Sequence, residues 1–200
     1  MNNEAQPEQQ NNDLSSLSTG KLLIMSVVSA NIYLFISLLI IKYWHDGWLI
    51  DLFNSDFTVL YQVAFGAGAG ILASAIIYLI INLPPVSEVL SDFSIFQALS
   101  MARFSLFDKT QISVFAGAGE EILFRGAIQP LLGNIFTSII FIGIHGYFKF
   151  RSVGHILFGV MMFGLSIMLG FLAAEVGLFA AMVAHALYDL IMLILIQRME

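Results

Sequence analysis

Apolar residues in this chain gather into long runs separated by short polar stretches, the pattern of a protein that folds in lipid. The runs lie roughly at Leu22–Ile41, Val59–Ile81, Gln111–Leu132, Ile135–Phe148, Val153–Val176 and Leu178–Ile196. All but the fourth are long enough to cross a hydrocarbon core of about 30 Å as a helix. Because a lipid-exposed backbone must satisfy its own polar groups, the pattern predicts an all-α fold, a polytopic transmembrane helix bundle of about six spans. Between Val86 and Phe107 the pattern changes. Val86, Val89, Leu90, Phe93 and Phe96 recur at helical spacing against Ser87, Glu88, Ser91 and Asp92, which predicts an amphipathic helix lying at the interface.

Local signals support these divisions. Tyr43, Trp44 and Trp48 form an aromatic belt after the first run, and Asp46, Asp51 and Asp56 mark the following loop as water-facing. Gly66 and Gly70 are spaced for close helix approach, and Pro84-Pro85 ends the second run. The first twenty residues are polar and hold no apolar core of a signal peptide, so they read as a disordered tail. The division expected is therefore a tail at 1–20, spans and interfacial helix at 21–110, and a core of four spans at 111–197.

Composition agrees. Of 200 residues 58% are hydrophobic and 11% charged, against about 25% charged in soluble domains. The net charge is -6 with no basic cluster, which argues against nucleic acid as a partner and leaves the lipid bilayer as the main surroundings. The absence of Cys excludes disulfides, thiolate catalysis and Cys-ligated metals. With the N-terminus inside, Lys21, Arg103, Lys109, Lys149, Arg151 and Arg198 fall on the cytoplasmic side and only Lys42 outside. By the positive-inside rule both termini are cytoplasmic and the chain sits in the cell membrane.

The candidate chemistry lies in the spans. An ionisable group there costs at least about 2.5–3.5 kcal/mol, so it needs a reason. The third run holds Glu120, Glu121 and Arg125, the fourth His145, and the sixth His185 and Asp189. Glu121 and Arg125 are four apart and share a helix face as an ion pair. Glu120 points about 100° away, free for other work. Gly117, Gly119 and Gly126 leave room for a neighbouring helix or an extended substrate. His185 and Asp189 also share a face, where a carboxylate can orient an imidazole, and Phe141 and His145 are related in the same way. Each pair alone could be a structural clamp. Together they supply a base, a partner to hold water and donors for an oxyanion. Neither HExxH nor GxSxG occurs. His45 and His155 read as loop or interface residues.

Glu120-Glu121-Ile-Leu-Phe-Arg125 resembles the EExxxR motif of the CAAX protease and bacteriocin-processing family of intramembrane endopeptidases. Phe141-Ile-Gly-Ile-His145 resembles its FxxxH motif, and His185-Ala-Leu-Tyr-Asp189 its HxxxN or HxxxD motif. The likeness covers roughly Gln111 to Ile196. It implies a helical endopeptidase with a polar cavity open to the cytoplasm. Glu120 would be the general base, His145 would position the water, and His185 with the residue at 189 would stabilise the oxyanion. Glu121, Arg125 and Phe141 would support them. It also implies either a metalloprotease, with Glu120, His145 and His185 holding a divalent metal such as zinc, or a glutamate-and-water mechanism. Asp189 departs from the usual Asn and, when ionised, has no proton to donate. The expected partner is a peptide or membrane-protein substrate. The rival readings are an inactive scaffold or bacteriocin immunity protein with the same fold, and an ion-coupled transporter using the buried acids and imidazoles as a relay.

Overall fold

The structure is a computed structural model that describes residues 19–93, 96–97 and 104–197. The expected tail, apart from Thr19 and Gly20, lies outside the described residues, as do Arg103 and Arg198. The described residues are all-α without strands. Six helices follow in order: α1 (Thr19–Ile40), α2 (Val59–Ile81), α3 (Leu106–Glu121), α4 (Gln129–Ile144), α5 (Val153–Glu175) and α6 (Leu178–Ile196). A π-helical stretch, Ile122–Ile128, joins α3 to α4 without a gap.

Among the described residues five helical runs are long and apolar enough to cross a membrane, one of them Leu106–Ile144 with 39 residues. A straight helix of that length would reach about 58 Å, about twice the hydrocarbon core. Gly133 breaks it. Its φ of 77° and ψ of 164° lie in a region essentially reserved for glycine. Glu120 stands thirteen residues before Gly133 and His145 twelve after it, yet their side chains meet at 3.7 Å. The chain therefore doubles back at Gly133, and the long run is two arms, which gives the six apolar stretches of the sequence pattern. The second arm is short because it stops at the depth of Glu120.

The first arm starts from a capping box in which the Ser105 hydroxyl accepts from the Asp108 N–H and the Asp108 carboxylate accepts from the Ser105 N–H. Glycine sets the helix spacing. A Cβ on Gly70 would lie 2.6 Å from the Ala184 carbonyl oxygen, and one on Gly117 2.8 Å from the Ala186 nitrogen. α6 is thereby held backbone-to-backbone against α2 on one side and α3 on the other.

The segment expected as one amphipathic helix over Val86–Phe107 is different. A 3₁₀-helix covers Ser87–Asp92, α3 begins only at Leu106, and residues 94–95 and 98–103 lie outside the described residues. Val86, Val89 and Phe93 are buried in the core. They are three and four residues apart, the spacing of an α-helical face, yet the helix that forms between them is only the short 3₁₀ turn. His155 clamps this segment to the start of α5: its Nε2 donates to Asp92 Oδ2 at 3.0 Å, and its Nδ1 accepts from the Ser152 hydroxyl at 2.8 Å. His45 donates to the Ala127 carbonyl of the π-helical stretch at 2.8 Å. Both histidines thus serve packing.

Candidate active site

Seven polar or aromatic side chains singled out by the sequence meet in one place. α3 brings Glu120 and Glu121, the π-helical stretch Arg125, α4 Phe141 and, as the residue that caps its C-terminus, His145, and α6 His185 and Asp189. The close approach at Gly117 puts the end of α3 beside the middle of α6, and the reversal at Gly133 returns His145 to the same level.

Glu121 is fully buried and serves two partners. Its Oε1 accepts from His185 Nδ1 at 2.7 Å, and its Oε2 lies 3.3 Å from Arg125 Nε. Arg125 is held in turn by α5: Nη2 donates to both the carbonyl and the hydroxyl oxygen of Ser166, each at 2.9 Å. Its guanidinium lies over the Phe141 ring at 4.8 Å, a cation–π contact in a dry setting. The Phe141 ring also packs against the rings of His145 and His185, with centroids 4.4 and 6.1 Å away.

Glu120 is different. Its carboxylate is partly open, and one oxygen, Oε2, lies 3.7 Å from His145 Nε2 and 3.9 Å from His185 Nε2. Each imidazole has its other nitrogen occupied, His145 Nδ1 donating to the Phe141 carbonyl at 2.7 Å and His185 Nδ1 donating to Glu121. Fixing one ring nitrogen sets the tautomer and aims the other. Asp189 Oδ2 stands 3.6 Å from His185 Nε2, so Glu121 and not Asp189 provides the short bond that orients this ring.

Glu120, His145, His185 and Asp189 line a cavity of about 210 Å³ whose remaining wall is mainly apolar. Gaps of 3.7–3.9 Å between acid and imidazoles are too long for direct hydrogen bonds, and the adjoining cavity has room for water in reach of all three. Among the described residues no three His, Cys, Asp or Glu side chains are grouped so that they could hold a metal ion. The metal-dependent reading therefore gains no support here.

Two further residues belong to this place. Ser166, the one hydroxyl residue in α5, could have been noticed as a polar position inside an apolar run. Tyr147 lies just beyond α4 and has no pattern to mark it. Its ring stacks near-parallel on His145 at 5.6 Å, and burial first, then the charges of Asp189 and Glu120, push the phenol up from its ordinary range.

Fold and site thus define a multi-pass membrane protein with acids and imidazoles gathered inside its helix bundle. Residues 102–191 match the model of the family described as Rce1-like, type II CAAX prenyl endopeptidase Rce1-like, and this stretch is a domain of that family. The match covers a little under half of the chain. The family is one of proteases, which implies a peptide substrate met in a membrane setting. No curated protein and no solved structure matches the chain.

Proposed function

We propose that the protein is an intramembrane endopeptidase that cuts a membrane-associated peptide or protein with water activated by Glu120. The observation that carries this reading is the convergence of His145 Nε2 and His185 Nε2 on one oxygen of the cavity-facing Glu120. In this scheme Glu120 takes a proton from water while His145 holds the oxygen in place. The water oxygen bonds to the peptide carbonyl carbon, and His185, protonated on both ring nitrogens, turns its Nε2–H to the resulting oxyanion. Glu120 then returns the proton to the leaving nitrogen as the C–N bond breaks. Glu121, Arg125 and Phe141 keep the two imidazoles in register.

The catalytic unit is residues 111–197, and the cytoplasm holds both termini and the mouth of the cavity. Comparing membrane proteomes from cells with the wild-type protein and with Glu120→Gln tests the reading. Loss of specific fragments in the variant, with equal membrane insertion, supports it and identifies the substrate. Identical fragments from both would remove Glu120 from its role.

A further inference from the structure

Cleavage through a tetrahedral intermediate needs a neutral or positive donor aimed at the oxygen that gains charge. The site offers few. Ionised Asp189 only accepts, and His185 has committed Nδ1 to Glu121, which leaves its Nε2 alone. Backbone N–H groups on α3 and α6 are used within their helices. The Tyr188 hydroxyl is turned to the Met162 sulfur at 3.8 Å.

Tyr147 stands apart. It is 92% buried, being 8% exposed, and forms part of the cavity wall beside Glu120, His145 and Asp189. Three rings fix its own: His145 stacked at 5.6 Å, Phe158 edge-on at 5.5 Å and Phe93 edge-on at 6.1 Å. Among the described residues its hydroxyl has no hydrogen-bond partner, yet its oxygen is not sealed away from open space. A phenol in the wall of this cavity, with an O–H unused among the described residues, is a donor waiting for an acceptor.

We propose that Tyr147 is a catalytic residue whose hydroxyl donates to the oxyanion, filling the place that an Asn at 189 would otherwise take. The inference rests on the proteolytic reading above. As water adds and Glu120 takes its proton, negative charge moves to the carbonyl oxygen, which accepts the Tyr147 O–H. When the C–N bond breaks and the amine leaves with the proton from Glu120, the carbonyl reforms. The phenol keeps its own proton throughout, as expected of a group that ordinarily ionises near pH 10.

The test uses the full-length protein in liposomes with a library of quenched-fluorescent octapeptides of apolar sequence. Tyr147→Phe keeps the ring contacts and removes only the donor. Its kcat should fall about 10²-fold, with KM within about threefold and an unchanged melting temperature. Adding Asp189→Asn to Tyr147→Phe supplies an amide donor and should restore about tenfold of the lost kcat. A wild-type kcat in Tyr147→Phe, while Glu120→Gln is inactive, overturns the Tyr147 assignment and leaves the protease standing. A fall in kcat matched by a lower melting temperature and no rescue makes Tyr147 a packing residue and also overturns it. If Glu120→Gln cleaves as well as wild type, the assignment of the reaction to the Glu120 site fails and the Tyr147 proposal with it.

Discussion

His185 Nδ1 donates to Glu121 Oε1 at 2.7 Å, a bond between side chains on α6 and α3 that are 64 positions apart. The carboxylate that steadies this ring is itself held by Arg125, and Arg125 by Ser166 on α5. One buried chain of contacts thus runs through three helices and ends at the imidazole that faces Glu120. Disturbing any link should change how His185 is aimed.

Removing the charge of Glu121 leaves Arg125 buried without a counter-ion, a change that costs about 3–5 kcal/mol in comparable buried pairs. Glu121→Gln is expected to lower the thermal midpoint in detergent and to abolish cleavage. Pairing it with Arg125→Met removes both charges and should recover part of the stability. Simple additivity of the two single effects would show that they do not act as a unit. Ser166→Ala should weaken the hold on Arg125 by about 1–2 kcal/mol, while Ser166→Thr, which keeps an acceptor, should cost less.

The reversal at Gly133 sets a second expectation. Its backbone angles are ones that residues with a Cβ avoid, at a cost of about 1–3 kcal/mol. Gly133→Ala should therefore destabilise the protein although nothing lies within 4 Å of the added methyl. Unfolding of the purified protein followed by circular dichroism checks this, and an unchanged midpoint would refute it.

A third expectation concerns helix spacing. Gly68 and Gly70 are two residues apart on α2, but a Cβ on Gly68 meets nothing within 4 Å, whereas one on Gly70 strikes the Ala184 backbone. Gly70→Val should push α6 away, reduce stability and impair activity, because Ala184 is next to His185. Gly68→Ala should be neutral or slightly stabilising, since Ala is the better helix former by about 1 kcal/mol. Equal effects would mean that the contact at Gly70 does not set the spacing.

A fourth concerns metal. The proposed scheme activates water with Glu120 alone, so 1,10-phenanthroline at millimolar levels should leave cleavage unchanged. Inhibition reversed by added zinc would contradict this.

The membrane helices were readable because lipid imposes a single rule on the backbone, and runs such as Val59–Ile81 and Leu178–Ile196 obey it without interruption. The ion pair of Glu121 with Arg125 was readable too, since it lies within one stretch at four-residue spacing. The tie between Glu121 and His185 was not. Local spacing pointed to Asp189 as the partner of His185, and only the tertiary approach at Gly117 puts a nearer carboxylate within reach. The π-helical stretch and Tyr147 were likewise hidden, the one because it breaks no hydrophobic pattern, the other because its position depends on a segment without periodicity. Val86–Phe93 misled because Val86, Val89 and Phe93, three and four residues apart, carry the period of an α-helix, while the segment forms only a short 3₁₀ turn that buries the same residues.

The near-equal arms on either side of Gly133 make the site sensitive to chain length. Losing one residue between Arg125 and Leu132 would turn everything downstream by about 100° and shift it by about 1.5 Å, taking His145 off Glu120 while every motif stayed intact in the sequence. Insertions and deletions in these arms should be far more harmful than substitutions of their lipid-facing residues, such as Ile135 and Phe136. A chain that has all three motifs but a different interval between the first two would then be a poor candidate for the same chemistry.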